Sequence, residues 1–223
     1  MDIGLDLRDD VALITLDDGK KNAITPDALA DLNVAFDKAE ADAKAVVLAG
    51  RPGSFCAGFD LATMTGGDVK AIMALGGGGG RFALRLWSFP KPLVAACTGH
   101  AFTIGAIWLC ASDTRIGERG PFKIGMTETK MGMGLGPWAL EPLKARLSNR
   151  HWVPTIVQSR VWDPDGAVEA GFLDEVVEAG QGVERACARA AELAQLPAKA
   201  YGSNKLCTRQ DSIAIMEADL PPA

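Results

Sequence analysis

The stretch from Lys91 to Ser112 constrains this chain more than any other. Pro92 opens the apolar run Leu93-Val94-Ala95-Ala96-Cys97, which reads as a strand, and Thr98-Gly99 breaks it. Thr103 then opens a second apolar stretch that lasts to Ser112 and reads as a buried helix. A helix that is apolar all round has to be covered on every side. The same alternation appears elsewhere, with strands expected at residues 44–48 and 114–117 and a helix after Thr25-Pro26, an N-cap followed by proline at the first helical position. That order favours parallel strands joined by crossovers. At 223 residues, 48% of them hydrophobic, the chain has the apolar surface for one large core.

A helix that begins at Thr103 leaves its first backbone N–H groups unpaired, with the positive end of the helix dipole behind them. Such an end is a natural seat for negative charge. Upstream, in Phe55-Cys56-Ala57-Gly58-Phe59-Asp60-Leu61, the pair Ala57-Gly58 lets the backbone approach a ligand closely. Asp60 follows as an N-cap for another turn. Two amides from two separate turns can then converge on one oxygen.

These two segments, followed by Ile124-Gly125-Met126-Thr127-Glu128, resemble the enoyl-CoA hydratase/isomerase (crotonase) superfamily, and the resemblance runs from about Val11 to about Lys205. It implies an α/β fold, the crotonase-like (ClpP/crotonase) ββα superhelix with C-terminal helices. By matching motifs, it also implies that the amides of Phe59 and Ile104 hold the thioester oxygen of an acyl-CoA as an enolate, and that Glu128 is the catalytic acid/base. Thr127 stands where members carry proline or asparagine. On the CoA side it points to Lys21, Asn22, Ala57, Phe59 and Leu61, with the Ala57 carbonyl facing the adenine amino group. Coenzyme A is then part of the substrate, and no separate cofactor is expected. A homo-oligomer, a trimer or a dimer of trimers, follows from the resemblance alone.

One departure is informative. Hydratases of the family carry a second glutamate in the helix after the oxyanion turn, and here Ile107 occupies that place. Adding water usually takes two carboxylates, whereas moving a double bond takes one base to shuttle a proton. The single Glu128 therefore reads as an isomerase arrangement. The alternatives are an enoyl-CoA hydratase drawing on another acid, Glu118 or Glu141, and a non-catalytic acyl-CoA-binding protein of the same fold. Apolar neighbours such as Ile107, Trp108, Met126 and Trp138 would raise the pKa of Glu128 by desolvation. The competing reading of Glu128 is an exposed loop acid paired with Lys123 or Lys130.

With 23 basic and 28 acidic residues there is no basic surplus for nucleic acid. Residues 1–10 carry acids rather than a basic and apolar leader, and no run approaches the roughly 18 apolar residues of a membrane span. A soluble, cytoplasmic protein is expected. Cys56, Cys97, Cys110, Cys187 and Cys207 form no CxxC pair and read as reduced, buried thiols, with a packing role favoured for Cys56. Two histidines without ligand spacing argue against a metal.

Residues 5–8 and 11–16 alternate around Asp9-Asp10 as a hairpin. The glycine run 76–80 lacks the flanks of a phosphate-binding loop and reads as a flexible connection. Asp113 with Arg115 reads as a local polar pair at the end of a helix. Helices are expected at 137–147, 153–158 and after Asp163-Pro164, a short strand at 173–177, and an amphipathic helix at 183–196 stopped by Pro197. The organisation expected is a ββα core over 1–180 and a helical extension over 181–223.

Overall fold

The computed structural model describes residues 1–220. The chain opens with strands β1 (Asp2–Arg8), β2 (Val11–Asp17) and β3 (Ala23–Ile24), helix α1 (Pro26–Asp42), then β4 (Ala45–Gly50), β5 (Gly53–Cys56) and β6 (Gly58–Phe59). Helices α2 (Leu61–Thr65) and α3 (Val69–Ser88) lead to β7 (Leu93–Cys97), β8 (Gly99–Phe102), α4 (Ile104–Ala111), β9 (Thr114–Glu118) and β10 (Ile124–Gly125). The remainder is α5 (Pro137–Arg146), α6 (Asn149–Trp152), β11 (Val161–Trp162), α7 (Pro164–Ala170), β12 (Glu175–Val177), α8 (Gly182–Leu193) and α9 (Ala198–Asp219).

Two sheets carry the fold. The larger has the order β1-β2-β4-β7-β9-β12. Its first pair is the antiparallel hairpin around Asp9-Asp10, and from β2 onward all neighbours are parallel. Side chains alternate between two cores, as a strand period of two requires. On β4, Val46 and Leu48 face the main core while Ala45, Val47 and Ala49 face a second one. Both faces are covered, which is why β4 and β7 read as unbroken apolar runs. Helix α8 packs on β4, β7 and β9 through Ala186 and Ala190, and α9 lies along α3 and α5.

The smaller sheet has the order β11-β10-β8-β5, with β5, β8 and β10 parallel. β8 sits so close to β5 that a Cβ on Gly99 would collide with the backbone of Gly53 and Ser54. We expect Gly99→Ala to cost about 3 kcal/mol, the upper range for overpacking, because only a backbone shift relieves the clash. Urea unfolding of the variant measures it.

The glycine run is not a flexible connection. Gly76 to Gly80 lie inside the 20-residue helix α3, which is capped by the Asp68 side chain. The missing side chains make room for others, since a Cβ on Gly79 would meet the Phe59 ring at 2.5 Å and one on Gly80 the Trp138 ring at 2.9 Å. The buried stripe Leu75, Phe82, Ala83, Leu86 and Trp87 supplies the burial that offsets poor helix formers.

Candidate active site

Three parallel strands deliver the candidate residues to one edge. β8 lies between β5 and β10, so the turns that follow all three leave from the same, carboxyl-terminal side. In open α/β architectures that edge is where ligands bind. After β5 the chain reaches Gly58-Phe59, after β8 it enters α4 at Ile104, and after β10 it reaches Glu128. The Thr103 amide donates to the Gly125 carbonyl at 3.2 Å, pinning the β8 turn to the β10 turn. On the other side Gly58, at φ +108°, leaves no space for a Cβ against the Thr103 hydroxyl, and a Cβ on Gly105 would stand 2.7 Å from the Cys56 carbonyl oxygen. The two amide-bearing turns are thus in direct contact.

β6 is held on both sides of Phe59. The Ala57 amide donates to the Lys21 carbonyl at 3.0 Å and the Asp60 amide to the Ile24 carbonyl at 2.9 Å. Asp60 caps α2, accepting from the Thr63 amide and hydroxyl at 2.8 Å each, and these bonds hold its carboxyl below the usual range. The Phe59 ring and the Ile104 side chain both lie over Gly79. Among the described residues Thr103 makes no side-chain cap on the first turn of α4, which leaves its leading amides available.

Glu128 is not an exposed loop acid. It is 6% exposed, it opens the 3-10 turn Thr129–Met131, and its Oε2 is buried with no hydrogen-bond partner among the described residues. Burial raises its pKa, while the backbone N–H groups of Glu128 and Thr127 pull only partly the other way. Ile107, one turn into α4, is 1% exposed. Ile104, Ile107, Trp108 and Met126 form one continuous apolar cluster, with Phe59 and Trp138 packed against it. The site is therefore lined by apolar side chains, with the uncapped start of α4 beside it and a buried carboxylate that has no ion-pair partner among the described residues.

The chain matches the enoyl-CoA hydratase/isomerase family model over residues 6–212. It belongs to that family. It is 30% identical over 193 residues to a putative enoyl-CoA hydratase of Thermus thermophilus, covering 83% of this chain and 75% of the relative. Among solved structures, an enoyl-CoA hydratase/isomerase family protein from Pseudomonas syringae superposes with a TM-score of 0.94 at 37% identity, over 98% of this chain and 94% of that one. A Mycobacterium tuberculosis protein, described both as an enoyl-CoA isomerase and as a probable enoyl-CoA hydratase, superposes at 0.93 with 35% identity, over 98% and 95%. The crotonase fold expected from the sequence is the fold observed.

Against this family frame the other candidates sort by their surroundings. Glu118 accepts from the Gly182 amide at 3.0 Å and is packed under the start of α8. Glu141 pairs with Lys144 within α5. Asn22, buried at φ +57°, donates to the carbonyls of Leu16, Ser54 and Phe55 and accepts from Asp18, so its side chain staples β2 to β5. Lys21 is exposed, Ala57 half-buried, and Leu61 65% exposed at the start of α2. Cys56 is fully buried and its thiol is pushed up to about 12, as burial without a cation dictates. His100 accepts from the Lys123 amide, and His151 packs edge-on to Trp162. Among the described residues no three His, Cys, Asp or Glu side chains cluster as metal ligands, and no helix is long and apolar enough to cross a membrane.

Sequence reasoning missed two features. Asp113 does not pair with Arg115, which instead grips Asp174. It accepts from Lys205, Arg209 and Tyr201 of α9, at the opposite, amino-terminal end of β7 and β9, beside a hollow of about 480 Å³. The other is Thr103, whose backbone sits at φ +51°, ψ −118°. Nothing local in the sequence signals either one.

Proposed function

We propose that this chain is an enoyl-CoA isomerase that moves a double bond along an acyl thioester with Glu128 as its single acid/base. The observation that carries the reading is the pairing of a buried Glu128 carboxylate, whose Oε2 has no hydrogen-bond partner among the described residues, with a buried Ile107 where a second acid would have to stand. The similar Mycobacterium tuberculosis protein is described both as an enoyl-CoA isomerase and as a probable enoyl-CoA hydratase, so the reading rests on these two residues and not on likeness.

In a 3-enoyl-CoA the carbon between the thioester and the double bond carries the acidic proton. Glu128 takes that proton, and the C–H electron pair spreads through the diene to the thioester oxygen. The amides of Phe59 and Ile104 hold the resulting negative charge, and one good donor of this kind contributes about 2.7–4 kcal/mol to lowering the barrier. Glu128 then returns the proton at the gamma carbon, which leaves the double bond conjugated with the thioester. A raised pKa suits a group that must first accept and then give up the same proton. The apolar walls keep water away from the intermediate, and Ile107 has no means of activating one.

Turnover of a 3-enoyl-CoA and a 2-enoyl-CoA, followed separately for migration and for hydration, tests the reading. Migration without hydration is expected. Robust hydration would sink the single-base mechanism, and tight binding with neither reaction would make the chain an acyl-CoA carrier.

A further inference from the structure

Thr103 carries two penalties that nothing in the fold repays. It is a β-branched residue held at φ +51°, ψ −118°, a region L side chains rarely adopt. Its hydroxyl is also buried without a hydrogen-bond partner among the described residues, and the residue as a whole is 8% exposed. A threonine at a helix N-cap ordinarily spends its hydroxyl on an amide of the first turn, and this one does not. Strain of this kind, where the surroundings enforce it, points to a job at the site.

The dihedrals say where the side chain is aimed. At this ψ the Cα–Cβ bond of an L residue nearly eclipses the bond from its carbonyl carbon to the next nitrogen. The Cβ of Thr103 therefore lies close to the plane of the 103–104 peptide, on the side toward which the Ile104 N–H points. Its hydroxyl also presses on Gly58, the residue before Phe59. The Oγ1 thus lies where the Gly58-Phe59 turn meets the start of α4, the two turns from which the oxyanion amides are expected.

We propose that the Thr103 hydroxyl is a third hydrogen-bond donor to the thioester oxygen, tightening as negative charge develops there. The proposal rests on the enolate chemistry argued above and adds a catalytic residue to it. No proton is transferred. The O–H bond stays intact and supplies a dipole that faces the oxyanion alongside the two amides.

Three substitutions separate the hydroxyl from the strain. Thr103→Val keeps the shape and loses the O–H, Thr103→Ser keeps the O–H, and Thr103→Gly removes both the hydroxyl and the strain. We expect Val to lower kcat for double-bond migration about 100-fold, the effect of losing one oxyanion donor, with KM little changed. Ser should recover most of the rate. Gly should be more heat-stable than the wild type yet as slow as Val. A purely structural threonine predicts the reverse, with Gly at least as fast as the wild type, and that result would overturn the proposal.

A second readout does not depend on turnover. The carbonyl stretch of a bound 2-enoyl-CoA carrying 13C at the thioester carbon should lie lower in the wild type and Ser than in Val and Gly. The same frequency in all four proteins would also overturn the third donor. If the wild type shows the hydroxyl-dependent shift but catalyses no migration, the isomerase reading fails and the donor stands.

Discussion

Replacing Glu128 with Gln should lower kcat for double-bond migration by a hundred- to ten-thousandfold, about the contribution of a positioned acid/base, while leaving acyl-CoA binding nearly intact. Gln matches the size of Glu and keeps its hydrogen-bonding reach but cannot take up the proton. The same substitution should stabilise the fold at neutral and alkaline pH. Burial raises the Glu128 pKa above the ordinary 4.5, so the folded state binds this proton more tightly than the unfolded chain. Stability from that proton is fully present below 4.5 and is lost as pH rises through the folded value. The Gln variant lacks this dependence. Its urea midpoint should exceed that of the wild type at about pH 8, and the gap should close toward about pH 4. An equal midpoint at both ends would mean that the carboxylate is not held in a dry site.

The second large effect is on folding. Asp113→Ala should cost about 3–5 kcal/mol, the range for breaking a buried ion pair from one side. Asp113 accepts from Lys205 and Arg209 at 2.8 Å each, from the Tyr201 hydroxyl at 2.9 Å and from the Leu93 amide at 3.0 Å. Both cations are largely enclosed. Burial already pushes Lys205 down to about 8 despite the attraction of Asp113, so removing the acid strands two buried charges. These contacts tie α9 to the start of β7, and α9 in turn covers α3 and α5. The cluster follows the last residue of α4 and the site precedes its first, about 12 Å apart by helical rise. The folded fraction should therefore keep its kcat. Urea unfolding with activity corrected for folded protein separates the two effects, and a loss of kcat as large as the loss of stability would contradict this placement.

Much of the frame was legible because it is local. The hairpin at Asp9-Asp10, the capped helix after Thr25-Pro26 and the short helix ended by Gly171 rest on turn and cap chemistry within a few residues. The apolar runs of β4 and β7 announce strands covered on both faces. Glycine in a row, by contrast, resembles a flexible linker, because a sequence displays the missing side chain and not the distant residue that fills its space. In α3 the space is filled by Phe59, which follows β5, and by Trp138 of α5.

The pairing of Asp113 failed for a related reason. Its partners lie about ninety residues away on α9, and Arg115 finds its acid at Asp174, so charge proximity along the chain was no guide to proximity in space.

The strand-helix alternation around β4, β7, α4 and β9, the two glycine-bearing turns and the absence of a second acid at Ile107 were determined by the sequence alone, since each is a matter of residue type and short-range spacing. Only the tertiary structure decided that Glu128 is buried, with its Oε2 unpartnered among the described residues, and that Glu118 and Asn22 are committed to the protein itself. It also decided that Thr103 is held at a positive φ between the two turns. Desolvation, hydrogen-bond satisfaction and backbone strain are set by the elements that pack around a residue, and those elements come from distant parts of the chain.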